Sequence, residues 1–335
     1  MLHALVEGGR LLRRSLGLAV LLLAVNLATA LVLAAPLAGV LQRDLHQKQA
    51  SQSMMYGFDF PWWSAWSDSQ SGWTASFGPE IFGVGFVYHN LDLLLKGMLP
   101  ANLFGIRAEA GGPGAPPLDP VVLGLGLVYL LVQTFLAGGI LSTLRGEQGA
   151  WTVRGLLHGS GFYFGRFFRV ALLALFAAWV VFRLNGPFAR WVDAHARESV
   201  SETSAMAWLL GRHALLLLAL FFVNMVSGYA KAIVVVEERS SAILAFVSAL
   251  SFCVRSLART FGHYLAVALL GVALIAIWRL IDGAYATTGY KTQLFTFALF
   301  QLFVLARVAL RVALMGGQLA LYRRLAAPEA LASAA

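Results

Sequence analysis

Six long apolar stretches constrain this chain more than any other feature of its sequence. Each is long enough to cross a bilayer as a helix, and they lie at about residues 15–40, 120–144, 167–184, 208–233, 262–281 and 293–321. Only 12% of the 335 residues are charged, against about a quarter in a soluble domain. The pattern predicts an all-α fold: residues 1–335 form a single transmembrane domain, a polytopic integral membrane helical bundle with about six transmembrane helices plus interfacial helices.

The first apolar stretch follows three arginines, as the core of a secretory signal does. Signal cores are about 7–15 residues long, whereas the apolar run from Ser15 to Val40 has 26 residues. We therefore expect it to be an uncleaved first span.

The distribution of cationic residues predicts the orientation. Thirteen Lys and Arg residues lie on one side of the membrane. They precede the first span, lie in or beside the connections between spans two and three and between spans four and five, or follow the sixth span. The two short connections on the other side carry five: Arg183, Arg190, Arg197, Arg279 and Lys291. The excess predicts that both termini are cytoplasmic. The net charge of +9 then suits anionic lipid headgroups and not nucleic acid.

The longest connection, about residues 41–119, is rich in aromatic residues. Such rings prefer the headgroup level of a membrane, so we expect an outer amphipathic aromatic cap containing Trp62, Trp63, Trp66 and Trp73. Residues 79–98 are expected to form a helix. The cap is either a lid of surface helices over the bundle or a site for a substrate or partner.

The second and fourth connections resemble each other. Each joins two spans through an amphipathic stretch, and the two units are offset by about 94 residues, from Arg145 to Arg239. We expect a cytoplasmic surface helix in each and a weak internal duplication. Transporters often contain duplicated units, but gene doubling without transport would give the same pattern.

A search for catalytic motifs gives no candidate. The chain has no nucleotide loop, zinc-protease motif or Rossmann fingerprint, and His158-Gly-Ser-Gly161 lacks the spacing of a hydrolase turn. The single Cys253 indicates a packing residue. His89, His195 and His213 would need long-range convergence to bind a metal. We predict no enzyme activity, no cofactor and no metal site.

Two arginines within the sixth span are the strongest candidates for a site. Arg307 and Arg311 are four residues apart, hence on one helix face, and a charge at this depth is costly. Their expected partners are Glu237 and Glu238 or a lipid phosphate, and Lys231 completes the candidate binding residues. The arginines are either a charge-paired clamp between spans four and six, or the lining of an anion, lipid-headgroup or proton pathway.

Other residues within the spans indicate helix packing. Asn26, Gln133 and Asn224 are expected to form hydrogen bonds between helices, and Gly124 and Gly126 are expected to allow close helix approach.

Three segments carry a resemblance to a family. Gly-Gly-Ile-Leu-Ser-Thr-Leu (138–144), Phe-Tyr-Phe-Gly-Arg-Phe-Phe-Arg-Val (162–170) and the segment 228–242, with its Gly-Tyr-Ala-Lys start, resemble a group of uncharacterised bacterial six-span inner-membrane proteins. That group is broadly similar to the membrane domain of some glycerophosphodiester phosphodiesterases. The family often has an acidic residue before Tyr-Ala-Lys, whereas this chain has Gly228 preceded by Ser227. The resemblance therefore implies no role for an acid at this position. The catalytic domain is absent from these residues. The resemblance therefore implies the fold and a bacterial inner membrane, but no reaction.

Two functional hypotheses follow. The first is a non-enzymatic scaffold or accessory subunit that acts with membrane lipids and other membrane proteins. The alternative is a transporter or permease for a small or lipid-like solute, with a cavity near Arg307 and Arg311. A polar cavity at mid-depth favours transport, and a dry bundle with an exposed apolar flank favours the scaffold.

Overall fold

The structure, a computed structural model, describes residues 2–46, 49–54, 59–77, 85–95, 119–146, 151–284 and 289–332. Within these ranges the chain forms helices and no strand. The α-helices are α1 (Leu2–Arg14), α2 (Leu16–Leu45), α3 (Gln49–Ser53), α4 (Phe60–Ser69), α5 (Gly85–Leu95), α6 (Pro120–Arg145), α7 (Val153–Glu198), α8 (Glu202–Val236), α9 (Ala242–Arg255), α10 (Leu257–Ala284) and α11 (Tyr290–Ala332), and a 3₁₀ helix spans Gly72–Ser76.

Six of these helices are long and apolar enough to cross a membrane: α2, α6, α7, α8, α10 and α11. The predicted fold class, a polytopic helical membrane bundle, is confirmed. The helices extend beyond the apolar stretches that predict them. Helix α7 has 46 residues, about 69 Å at 1.5 Å per residue, whereas the hydrocarbon core of a bilayer is about 30 Å thick.

One end of the bundle, which we call the basic end, is held together by arginines. The guanidinium of Arg145, at the end of α6, lies 2.6 Å from the carboxylate of Glu238, which follows α8. The carbonyl of Arg145 accepts a hydrogen bond of 3.0 Å from Arg323 of α11. The ends of α6, α8 and α11 therefore meet at the basic end.

The opposite end, which we call the aromatic end, is joined by an ion pair and by ring contacts. Arg212 of α8 lies 2.6 Å from Asp193 of α7, and the rings of Trp191 and Trp208 pack edge to face at 5.6 Å. These contacts close the hairpin of α7 and α8.

Helices α6 and α7 pack closely through glycine. A Cβ on Gly139 would overlap the carbonyl oxygen of Leu156 and lie 2.7 Å from its Cδ1, and a Cβ on Gly159 would lie 2.6 Å from the Cβ of Ser142. The sequence predicts close packing at Gly124 and Gly126 instead. That prediction is wrong, since a Cβ at either position would meet nothing within 4 Å.

Helix α1 was not predicted from the sequence. It packs against α11 at Gly8, where a Cβ would overlap the carbonyl oxygen of Ala313 and approach the nitrogen of Gly317 to 3.1 Å. Ala4 of the same helix is buried. Helix α1 thus covers α11 over residues 313–317.

The two units of the predicted duplication differ in their helices. In the second unit α9 is a separate helix, and the chain breaks at Ser256 before α10. In the first unit the predicted surface helix is continuous with the third span in α7, so the prediction of a separate helix there is wrong. The duplication itself stays a prediction.

The described part of the aromatic cap packs onto the outer length of α2. Trp63 and Trp66 of α4 are buried with Leu37, and the indole of Trp66 donates a hydrogen bond of 2.7 Å to Asp44. Asp59 begins α4 and accepts hydrogen bonds from the Ser53 hydroxyl and the Trp62 amide, which hold the pKa of Asp59 below its usual value. Of the predicted helix over 79–98, α5 covers 85–95, and residues 78–84 and 96–118 lie outside the described residues.

Candidate functional site

A groove of about 760 Å³ lies between α2, α6 and α11. Its walls are mostly aliphatic and include Leu27, Val32 and Val128, which are exposed on the outside of the bundle. Because the outside of a membrane bundle faces lipid tails, the groove opens sideways into the bilayer. Its polar lining consists of Asn26, Thr29, Tyr129, Gln301, Arg307 and Arg311.

A line of hydrogen bonds joins the three helices around the groove. The guanidinium of Arg311 donates to the side-chain oxygen of Gln133, and the Gln133 amide nitrogen donates to Asn26 at 2.8 Å. A guanidinium has only donors, so it orients the Gln133 oxygen toward itself and the NH₂ group toward Asn26. The amide of Asn224 also donates to the Tyr264 hydroxyl, at 2.5 Å. The predicted interhelical hydrogen bonds of Asn26, Gln133 and Asn224 are confirmed.

The arginines lie near the middle of the spans. Gln133 precedes Arg145 by twelve residues on α6, and Arg311 precedes Arg323 by twelve residues on α11, so both contacts lie about 18 Å from the basic end. A hydrocarbon core is about 30 Å thick. The side chain of Arg311 therefore lies at mid-depth.

Both arginines are exposed to the groove instead of being buried in the bundle. Arg307 lies one helical turn from Arg311, and its guanidinium carbon lies 5.8 Å from the centre of the Phe303 ring. No aspartate or glutamate is among the described residues that line the groove. Within the described lining, the charged side chains are therefore cationic.

Lys231, the third predicted cation, belongs to α8. It is half-buried and is not among the described residues that line the groove. The groove therefore brings together two of the five predicted binding residues, Arg307 and Arg311.

The two predicted acidic residues also lie outside the groove lining. Glu237 accepts hydrogen bonds from Arg239 and from the hydroxyl of Tyr322, and Glu238 pairs with Arg145. Tyr322 follows Arg311 by eleven residues, about 16 Å along α11. The predicted clamp of Arg307 and Arg311 with these glutamates is wrong, because the acidic pair follows the end of α8 and is neutralised at the basic end.

Gly126 shapes the groove in a way that the sequence did not indicate. It lines the groove, and a Cβ there would meet nothing within 4 Å. An apolar span with glycine usually indicates helix contact, so only the position of α6 beside α2 and α11 reveals that this glycine leaves space.

Two of the three outer histidines have contacts of their own in the structure. His195 interacts with the carbonyl of Trp191 within α7, and His213 lies beside Arg212. Among the described residues, no cluster of three or more His, Cys, Asp or Glu side chains is placed to hold a metal ion.

Comparisons with family models, curated proteins and solved structures each gave no match. The resemblance to bacterial six-span proteins and to the membrane domain of phosphodiesterases stays a prediction. The chain is a polytopic helical membrane protein.

Proposed function

We propose that this protein binds an anionic, lipid-like solute in the groove between α2, α6 and α11 and moves it through the bilayer. The observation that carries the proposal is the exposure of Arg307 and Arg311 to a laterally open groove at mid-depth, with no acidic residue in the described lining. The proposal includes no chemical reaction.

The cost of a charge in hydrocarbon supports an anionic ligand. An arginine at the centre of a span costs about 2.5–3.5 kcal/mol on insertion scales, and a carboxylate or phosphate beside the guanidinium offsets that cost through charge-assisted hydrogen bonds. Gln133 supplies only a neutral oxygen to Arg311. An anion held between Arg307 and Arg311 would neutralise them.

The walls of the groove suit an apolar chain. On α11 the lining runs from Arg311 to Phe300, about 16 Å toward the aromatic end, and aliphatic side chains of α2 and α6 face it. A ligand with one anionic group and one hydrocarbon chain fits both parts.

The depth of the arginines favours movement over permanent residence. A structural lipid keeps its headgroup at the membrane surface, whereas Arg311 lies about 18 Å from the basic end. An anionic headgroup at Arg311 is therefore in transit between the two surfaces. Helix α1 covers α11 beyond this point, so passage to the basic end requires α1 to shift.

The scaffold role predicted from the sequence stays a prediction. It rests on exposed apolar flanks, and the spans do expose many large apolar side chains. Contact with lipid requires the same surface, so these flanks favour neither role.

Filling the groove tests the proposal. We expect purified protein in detergent to bind oleoyl lysophosphatidate more tightly than the uncharged monooleoylglycerol. Gly126→Leu places a side chain in the open space of the groove and should weaken lysophosphatidate binding at least tenfold. Arg307→Gln with Arg311→Gln should remove the preference for the charged ligand. Native mass spectrometry measures both.

Gly124→Leu is the matched control. Gly124 lies two residues away on the same helix, and a Cβ there would also meet open space. Because Gly124 is outside the groove lining, the Gly124→Leu variant should bind lysophosphatidate as tightly as the unaltered protein. Equal binding by Gly126→Leu and Gly124→Leu would refute the groove as the site.

Reconstitution tests movement. In vesicles containing a fluorescent phosphatidylglycerol, the protein should accelerate exchange of the lipid between leaflets, measured as added quenching by external dithionite. Gly126→Leu should slow that exchange and Gly124→Leu should not. If lipid binds but exchange equals that of empty vesicles, the movement is refuted and the binding stands.

We also propose that the protein lies in a bacterial inner membrane with the basic end in the cytoplasm. The excess of cationic residues at that end and the resemblance to bacterial inner-membrane proteins support this. Alkaline phosphatase fused to the C-terminus should be inactive in a bacterial host, and a fluorescent protein at the same position should fluoresce. Active phosphatase would reverse the orientation.

A further inference from the structure

A second cavity, of about 540 Å³, lies at the basic end between α1, the end of α6 and α11. Three arginines from two helices line it, namely Arg14, Arg323 and Arg324. It is separate from the groove, because Arg323 follows Arg311 by twelve residues, about 18 Å along α11. We call it the basic cavity.

One of the three arginines is anchored. Arg323 donates to the carbonyl of Arg145 at 3.0 Å, which orients its guanidinium and leaves its other N–H groups for a ligand. Arg14 and Arg324 are exposed. The cavity therefore contains one oriented guanidinium, that of Arg323, and two exposed guanidinium groups that can move to contact an anion.

The only acidic residue in the described lining is Glu7, and His3 lies beside it in the wall. The carboxylate of Glu7 is 3.8 Å from the guanidinium of Arg10, which is outside the lining. Arg10 therefore offsets part of the charge of Glu7, and the cavity keeps an excess of positive charge.

Apolar side chains also contribute to the lining. Leu11 lines the cavity and is partly exposed, whereas the lining residues Leu144 and Leu319 are buried. The glycerol and first chain carbons of a lipid can pack against the exposed part of Leu11, a contact that a free inorganic ion does not use. The cavity is also at the end of the spans, where phospholipid phosphates lie.

We propose that the basic cavity binds the phosphate of an anionic phospholipid headgroup, with Arg14, Arg323 and Arg324 as its ligands. Basic pockets between spans at the cytoplasmic surface bind such headgroups, and guanidinium groups bind phosphate oxygens in pairs. A soluble phosphate monoester has the same anionic chemistry and is distinguished by the test. The proposal does not depend on the groove.

The test removes the two exposed arginines and keeps the anchored one. Arg14→Gln with Arg324→Gln is compared with Arg154→Gln with Arg255→Gln, which removes the same charge from exposed positions of α7 and α9 outside the cavity. Native mass spectrometry follows titration with phosphatidylglycerol and, separately, with phosphatidylcholine of the same chains. Elution as a single species shows that each variant is folded.

We expect phosphatidylglycerol to bind the unaltered protein more tightly than phosphatidylcholine. The cavity variant should weaken phosphatidylglycerol binding about thirtyfold, the factor that two arginines contribute to attraction of an anionic lipid, and the control pair should change it less than about threefold. The same titration on Gly126→Leu distinguishes lipid bound in the groove from lipid bound in the basic cavity. That variant fills the groove and leaves the basic cavity intact, so lipid that it still binds is assigned to the cavity.

Two further arms identify the source of the phosphate. If glycerol 3-phosphate or inorganic phosphate displaces the lipid, and does so only with Arg14 and Arg324 present, the cavity recognises phosphate from either source. If neither competes, the ligand is the lipid. The proposal is overturned if the cavity variant and the control pair bind phosphatidylglycerol alike, or if the unaltered protein does not prefer it to phosphatidylcholine.

Discussion

Replacing Gly139 by alanine tests the packing of α6 against α7. The added methyl group would overlap the carbonyl oxygen of Leu156 and the hydroxyl of Ser160, and would lie 2.7 Å from Leu156 Cδ1. Because one obstructing atom belongs to the backbone, a change of rotamer cannot relieve the overlap. The two helices must therefore separate.

The size of the effect follows from two opposing terms. Overpacking a close contact costs about 3 kcal/mol, whereas alanine is favoured over glycine within a helix by about 1 kcal/mol. We therefore expect Gly139→Ala to lower the free energy of unfolding by about 2 kcal/mol. Gly126→Ala, on the same helix, adds a methyl group in open space and should change stability by between zero and about 1 kcal/mol in the stabilising direction.

Unfolding in mixed micelles measures both variants. The fraction of sodium dodecyl sulfate is raised in dodecylmaltoside, and the loss of helical circular dichroism gives the midpoint. Gly139→Ala should unfold at a lower fraction than the unaltered protein, and Gly126→Ala at the same or a higher one. A midpoint for Gly139→Ala equal to that of Gly126→Ala would refute the close approach of α6 and α7.

Three further predictions concern burial and charge. Burial raises the pKa of the Cys253 thiol to about 12, so at pH 8 only about one thiol in ten thousand is ionised. Maleimide should therefore label the folded protein slowly and the denatured protein quickly. Equal labelling rates would contradict the buried position of Cys253. Asp193→Asn breaks a mostly shielded pair with Arg212 and should cost about 2 kcal/mol or more in the same unfolding assay. Glu238→Gln breaks a more exposed pair with Arg145 and should cost at most about 1 kcal/mol, so the reverse order would refute the assignment of burial.

The groove and the basic cavity share helix α11. Arg307 and Arg311 face the groove, and Arg323 and Arg324 face the basic cavity. Helix α1 covers the turns between them, with Gly8 against Ala313. If both proposals hold, an anion reaches the second site from the first only when α1 moves, and a cross-link between α1 and α11 should stop exchange without stopping binding.

The sequence by itself determined the membrane class and the positions of the six spans. Hydrocarbon accepts few backbone structures other than the helix, so a run of about twenty apolar residues suffices to locate each span. The same reasoning singled out Arg307 and Arg311, because a charge within a span is costly wherever the neighbouring helices lie. Both inferences depend only on the residues within each span and on the properties of the lipid hydrocarbon around them.

The tertiary structure decided which residues meet. Lipid-facing and bundle-facing sides of these spans are equally apolar, so periodicity could not show that Gly139 contacts α7 while Gly126 leaves a groove open. The position of Glu237 and Glu238 at the end of the fourth span suggested them as partners, but the bundle places Arg311 against Gln133. The contact depends on the relative rotation and depth of α6 and α11, which arise from packing between helices distant in sequence.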